Sequence, residues 1–149
     1  MFNLKMKIVL AVFALVLGGV TAASAQFNFG SALRVNVPNE FVVEDKVFPA
    51  GEYSIFQTPS STDSSTNLIL RGRNGRSMII NTMVARSNEA ATSTHLVFDV
   101  IDGTHFLSKI WLKGEITANE IPKSSFERRL IAANKRVRQV MVGTGVAGL

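Results

Sequence analysis

The residues of this chain that most readily bind a metal or transfer a proton are its two histidines, His95 and His105. An Asp102-Gly103 turn lies between them, so a hairpin would place them on different strands. In the two-residue register, His105 lies opposite Val100 on one face and His95 opposite Ile110 on the other, so we predict no metal site. The chain also has no cysteine, which excludes thiolate chemistry and zinc sites of the cysteine type.

Other arrangements typical of enzymes are not supported by the residues. No serine lies in a nucleophile-elbow context. Nothing places Asp99 across a cleft from Glu115 or Glu120, so we interpret these carboxylates as solvated. Residues 143–148 match the dinucleotide-binding pattern GxGxxG, but only Leu149 follows, which leaves no helix to receive a pyrophosphate. We therefore predict no cofactor and no enzymatic activity, and keep an enzyme of unidentified class as the alternative.

A basic cluster is the remaining chemical feature. Arg71, Arg73 and Arg76 surround an Asn74-Gly75 turn, and guanidinium groups are well suited to hold phosphate or sulfate. The competing interpretation is a solvated hairpin tip whose charges discourage pairing with other sheets. These arginines are the candidate anion contacts.

Short strands separated by turns are indicated from Leu33 to Trp111. The Asn74-Gly75 turn predicts a hairpin of 67–73 with 76–85, and the Asp102-Gly103 turn predicts one of 95–101 with 104–112. In the first hairpin one face would contain Leu68, Leu70, Ile79 and Met83. In the second hairpin one face would contain Leu96, Phe98, Val100, Leu107 and Trp111.

A C-terminal helix is predicted at about 124–138. Ser124 fits an N-cap with Glu127 three residues later. One side would carry the apolar stripe Phe126, Leu130, Ala133 and Val137. The other would carry the basic residues Arg128, Arg129, Lys135, Arg136 and Arg138. Such a helix either lies on an anionic membrane or packs its stripe on the sheet. Residues 140–149, which are glycine-rich, form either a frayed tail or a late strand.

The N-terminus has the pattern of a secretory signal peptide. Lys5 and Lys7 precede an apolar run at 8–20, and a small-x-small cleavage motif occupies 23–25. We predict a signal peptide at 1–25 and a single mature domain at 26–149, exported to the periplasm or secreted. An uncleaved anchor is the alternative; after cleavage we expect no integral membrane protein.

The charge of the chain is moderately basic. The formal net charge is +5, and cleavage removes the two leader lysines from it. The remaining excess is concentrated between Lys123 and Arg138, where Glu127 is the only acidic residue. This distribution favours an anionic surface as a partner, and we expect no nucleic acid partner for an exported protein.

Several short motifs resemble those of a family of small exported proteins of unknown function associated with acidobacteria. They are Val37-Pro38, Phe41-Val42-Val43, Asp45-Lys46, Pro49-Ala50-Gly51-Glu52-Tyr53, Phe106-Leu107-Ser108 with Trp111, and Pro122-Lys123-Ser124 with Glu127-Arg128. The chain departs from the family pattern at Asn39 and His105, where the family tends to have an aromatic residue. The resemblance implies a mainly-β fold and export, and it implies no catalytic residue.

Together these patterns predict an antiparallel β-barrel or closely packed β-sandwich of about seven to eight strands with one C-terminal α-helix. The expected function is non-enzymatic: lipocalin-like binding of a small apolar ligand, or association with an anionic envelope surface. For ligand binding, the candidate lining residues are Phe98, Leu107 and Trp111. The ligand would enter at the end formed by the long loops 58–66, 86–94 and 113–119.

Overall fold

The computed structural model describes residues 32–58, 67–133 and 135–146. The predicted signal peptide, nearly all of the loop at 58–66 and the last three residues of the tail lie outside the described residues. The described chain is mainly β, as predicted, with one helix. In chain order its elements are β1 (Leu33–Val37), β2 (Phe41–Val43), β3 (Lys46–Phe48), β4 (Gly51–Gln57), β5 (Asn67–Gly72), β6 (Ser77–Asn81), β7 (Met83–Arg86), β8 (His95–Ile101), β9 (Thr104–Trp111), β10 (Thr117–Glu120), α1 (Ser125–Ala132), β11 (Val137–Gly143) and β12 (Gly145–Val146).

The strands form two sheets. One has five strands in the order β12-β1-β4-β5-β6. The other has seven, in which β11-β8-β9-β10-β7 follow one another while β2 pairs with β9 and with β3. The chain changes sheet four times, from β1 to β2, from β3 to β4, from β6 to β7 through Thr82 and from β11 to β12 through Thr144. Within the described residues the sheets do not close into a barrel.

The main apolar core lies between the two sheets. Inward-facing residues of the five-stranded sheet, such as Tyr53 and Ile55, share one buried cluster with residues of the seven-stranded sheet, such as Phe98. The ring of Phe41 lies in the middle of an aromatic group, with its centroid 5.1 Å from that of Tyr53 and 5.6 Å from that of Phe98. This packing makes the five-stranded sheet a firm support for side chains on its outer face.

Helix α1 covers part of the outer face of the seven-stranded sheet. Its side chains Leu130 and Ile131 pack against a second, smaller cluster formed by Val42, Ile101 and Phe106. The predicted N-cap is confirmed, since the Ser124 hydroxyl accepts a hydrogen bond of 3.0 Å from the backbone N–H of Glu127. Within the described residues, no helix has the length and apolar character needed to cross a membrane.

The predicted helical range of 124–138 is too long, because α1 ends at Ala132. Val137 belongs to strand β11, and Ala133 is an exposed C-cap, so neither extends the apolar stripe. The β-branched valines of β11 favour a strand, and the edge of β8 supplies backbone partners along the whole of β11. For residues 140–149 the alternatives were a frayed tail and a late strand. Up to residue 146 these residues form strand, at the end of β11 and in β12.

The first hairpin is shifted by one residue from its predicted register. Gly72 donates its N–H to the carbonyl of Arg76 at 2.7 Å, so the loop has three residues and ends at Gly75, whose φ is +84°. The shift brings Met78 and Ile80 into the core. The predicted inward position of Ile79 is therefore wrong, and this side chain is 59% exposed. The predicted inward position of Met83 is also wrong, because Met83 belongs to β7 of the seven-stranded sheet, where its side chain is 55% exposed.

Candidate anion-binding site

The outer face of the five-stranded sheet carries a shallow cavity of about 530 Å³ across β1, β4 and β5. Because successive residues of a strand face opposite sides, each of these strands presents alternate side chains to the cavity. The polar lining consists of Arg34, Asn36, Glu52, Ser54, Arg71 and Arg73. The lining therefore has three basic residues and one acidic residue, and strand register arranges the lining in rows across the sheet.

The cationic row consists of Arg34, Ser54 and Arg71. Ser54 pairs with Arg34 of β1 on one side and with Arg71 of β5 on the other. Since neighbouring strands lie about 4.8 Å apart, the Cα atoms of the two arginines are about 10 Å from each other. Within the described residues neither guanidinium group forms an ion pair with a carboxylate. Two such cations flanking a hydroxyl group are stabilised by an anion between them.

The polar row consists of Asn36, Glu52 and Arg73, and lies next to the cationic row on the side of the hairpin turn. Asn36 pairs with Glu52. The backbone N–H of Arg73 donates a hydrogen bond of 3.1 Å to the backbone carbonyl of Glu52. The side chains of Arg73 and Glu52 form an exposed ion pair, with 2.6 Å between Nη1 and Oε2. This row thus offers amide and carboxylate groups to hydroxyl groups of a ligand.

The apolar row consists of Phe56, Ile69 and Ile79, on the other side of the cationic row. Phe56 pairs with Ile69, which in turn pairs with Ile79 of the edge strand β6. The guanidinium carbon of Arg71 lies 5.0 Å from the centroid of the Phe56 ring, which is a cation–π contact. Phe56 and Ile69 are half-buried, while Ile79 is exposed.

Tyr53 and Gly72 form the floor beneath the polar row. A Cβ atom on Gly72 would lie 2.9 Å from Cε1 of Tyr53, so glycine leaves the space that the ring occupies. The Tyr53 hydroxyl donates a hydrogen bond to the carbonyl of Pro49, and burial raises the pKa of Tyr53 although the charge of Arg76 opposes this. Tyr53 is thus a neutral, fixed support for the cavity.

The structure separates the three arginines that the sequence grouped as anion contacts. Arg71 and Arg73 line the cavity, whereas Arg76 donates from Nη1 to the carbonyl of Val47 at 3.0 Å and lines a different depression. Arg34, which sequence reasoning missed, lies on β1 and shares a row with Arg71 because both residues pair with Ser54 of β4. Its alternation with the buried Leu33 and Val35 was the one local signal that it faces outward.

The expected apolar lining residues do not share a face. Phe98 and Leu107 pair with each other in the main core, but the register shifts after them, so that Ser108 is an extra residue and Val97 pairs with Lys109. As a result Trp111 pairs with His95 and lies on the opposite face from Phe98. The prediction that Trp111 joins Phe98 and Leu107 is wrong because a β-bulge reverses the alternation.

The same register places the histidines. His105 pairs with Val100 as predicted, whereas His95 pairs with Trp111 and not with Ile110. The ring of His95 has a local partner, since its Nδ1 lies 2.9 Å from the carbonyl oxygen of Ser93. Across the residues that the structure describes, no three metal-binding side chains of the histidine or carboxylate type come together.

A buried ionic cluster lies between α1 and the seven-stranded sheet. The Lys123 ammonium is 2.9 Å from Oδ2 of Asp99 and 2.9 Å from Oε1 of Glu127. Asp99 is only 3% exposed, so the prediction that it is solvated is wrong. Gln139 of β11 donates from Nε2 to the other oxygen of Asp99 at 3.0 Å. The cluster therefore joins the helix to two strands of the sheet.

The protonation of this cluster follows from its contacts. Burial by itself would raise the pKa of Asp99, but hydrogen bonds from Lys123, Gln139 and Ser108 outweigh burial and lower it. Burial would likewise lower the pKa of Lys123, but its bonds to Glu127 and Asp99 outweigh burial and raise it. Asp99 is thus a carboxylate and Lys123 an ammonium group at neutral pH.

The basic residues of the predicted helix are divided among α1, the segment that follows it and β11. Arg128 and Arg129 are on α1, whereas Lys135 and Arg136 follow it and Arg138 is on β11. Lys135 Nζ lies 3.6 Å from Oδ2 of Asp102 at the hairpin tip. These side chains therefore do not form the continuous basic helix face that membrane binding by α1 would require.

Comparison of the chain with protein-family models, curated proteins and solved structures found no match.

Proposed function

We propose that this protein is an exported, non-enzymatic binding protein that holds an anionic group of its ligand in the basic cavity. The observation that carries the proposal is the cationic row, where Arg34 and Arg71 flank Ser54 and have no acidic partner within the described residues. A phosphate, sulfate or carboxylate group there would accept charge-assisted hydrogen bonds from both guanidinium groups and a further bond from the hydroxyl.

We further propose that the two sheets form a β-sandwich with the binding site on an outer face. This differs from a lipocalin-like barrel with an internal site, because Phe98 and Leu107 fill the main core with their side chains. A ligand in the open basic cavity keeps its charge in contact with water and arginine, so an anionic component of the cell envelope suits the site better than a small apolar molecule.

Export is supported by the leader at 1–25 and by the resemblance to a family of exported proteins. A non-enzymatic role is supported by the state of the buried ionic cluster. Lys123 is held as an ammonium group between two carboxylates, so it has no free electron pair with which to act as a base or nucleophile.

The test is an NMR titration of the mature protein with sodium sulfate, with sodium chloride used to keep ionic strength constant. We expect saturable shifts of the amide signals of Arg34, Ser54 and Arg71. The double variant R34Q/R71Q should lose this binding. The matched control R129Q/R136Q removes the same charge from α1 and the segment after it, and should bind as the wild type does.

Two results would count against the proposal. Equal sulfate affinity of the two double variants would show that the effect is one of net charge and that the cavity is not the site. Absence of saturable sulfate binding by the wild type would refute anion binding itself.

A further inference from the structure

We propose that the ligand of the basic cavity is a phospholipid of a membrane surface, with its phosphate on the cationic row, a polyol headgroup on the polar row and its acyl region on the apolar row. This inference rests on the proposed anion site and extends it to the chemical class of the ligand. It follows from the order in which the three rows succeed one another along the strands.

The order can be read along β4. Glu52, Ser54 and Phe56 face outward in turn, one in each row, so the rows are about 6.6 Å apart. Hydroxyl-binding groups, anion-binding groups and apolar side chains therefore follow one another in a single direction across the face. A phospholipid with a polyol headgroup has its hydroxyl groups, phosphate and acyl chains in the same order.

The apolar row distinguishes a lipid from a free anion. A free phosphate or an acidic saccharide would use the cationic and polar rows and would leave Ile79 in water. Ile79 is 59% exposed on the edge strand β6, next to the cationic row. Cations at the level of lipid phosphates with an adjacent exposed apolar side chain are the features by which peripheral proteins bind anionic bilayers. The charge and the exposed isoleucine thus point to a lipid surface.

The experiment is co-sedimentation of the mature protein with vesicles of phosphatidylglycerol and phosphatidylcholine, and with vesicles of phosphatidylcholine alone. We expect the wild type to bind the anionic vesicles only. I79S should weaken vesicle binding about tenfold, from the lost burial of the side chain, and leave sulfate affinity unchanged. R34Q/R71Q should weaken vesicle binding roughly thirtyfold and also lose sulfate binding.

The matched control is M141S, which removes a 70% exposed apolar side chain from β11 of the other sheet and should bind vesicles as the wild type does. If M141S and I79S weaken binding equally, the assignment to this face is overturned. If I79S binds vesicles like the wild type, the acyl region does not contact the apolar row and the phospholipid proposal is refuted. The same conclusion follows if free glycerol phosphate displaces the protein from vesicles at a concentration equal to that of the accessible lipid, because the headgroup alone would then account for binding.

The two proposals fail in different ways. Saturable sulfate binding without vesicle binding overturns the phospholipid and leaves the anion site in place. If the wild type binds neither sulfate nor vesicles, the anion site and the phospholipid ligand are both overturned.

Discussion

Replacement of Lys123 by methionine should expose the energetic role of the buried ionic cluster. Methionine retains much of the apolar stem and removes the ammonium group that contacts Asp99 and Glu127 at 2.9 Å each. Both carboxylate side chains are 5% exposed, so K123M leaves two negative charges with little access to water. Removing one partner of a buried ion pair typically costs about 3–5 kcal/mol.

The expected loss is lower than that range, because the Lys123 side chain is itself 41% exposed and water reaches the vacated position. Gln139 continues to donate to Asp99. We therefore expect K123M to lower the free energy of unfolding by about 2–3 kcal/mol at pH 7, measured by urea denaturation. The control K135M breaks the exposed contact with Asp102 and should change the free energy of unfolding by less than about 0.5 kcal/mol.

The pH dependence gives a second readout with a definite sign. In the wild type the pKa of Asp99 is lowered, so its contribution to stability is complete above the pKa of the unfolded chain and is lost as pH falls through the folded value. In K123M only the hydrogen bonds from Gln139 and Ser108 oppose burial, so we expect the pKa of Asp99 to rise and acidification from pH 7 to pH 5 to recover stability. A loss below about 1 kcal/mol, or K123M stability that falls with acid over that interval, would refute the assignment of the cluster as a structural ion pair.

Two further predictions concern packing and a third concerns processing of the leader. G72A should destabilise by about 1–3 kcal/mol because the new Cβ would meet Tyr53, whereas G143A, where a Cβ meets nothing within 4 Å, should be near neutral in the same denaturation assay. L130D should cost about 2 kcal/mol by placing a charge against the cluster of Ile101 and Phe106, and A132D, on an exposed position of the same helix, should cost much less; equal losses would mean that α1 does not pack there. Expression with the native leader should yield a mature protein that begins at Gln26 by intact-mass measurement; recovery of the full-length chain in the inner membrane would instead support an anchor.

Much of the local structure could be predicted because it depends on neighbouring residues. The Asp102-Gly103 turn forms as a two-residue hairpin with φ of 51° and 80°, since these residues adopt positive φ at low cost. Ser124 caps α1 through a hydrogen bond that spans three residues. The β-rich pattern and the absence of cysteine are likewise properties of the sequence alone, and the leader remains a prediction from the sequence.

Only the tertiary structure decided which side chains meet. One extra loop residue before Gly75 and one bulged residue at Ser108 each reverse the faces of a strand, and neither leaves a clear mark in the hydrophobic pattern. The valines of residues 137–143 favour a strand, but the choice of strand over helix there depended on the edge of β8, whose position only the tertiary structure sets. The cationic row and the ionic cluster around Lys123 likewise depend on which distant segments of the chain become neighbours. Burial of the common core decides which segments these are.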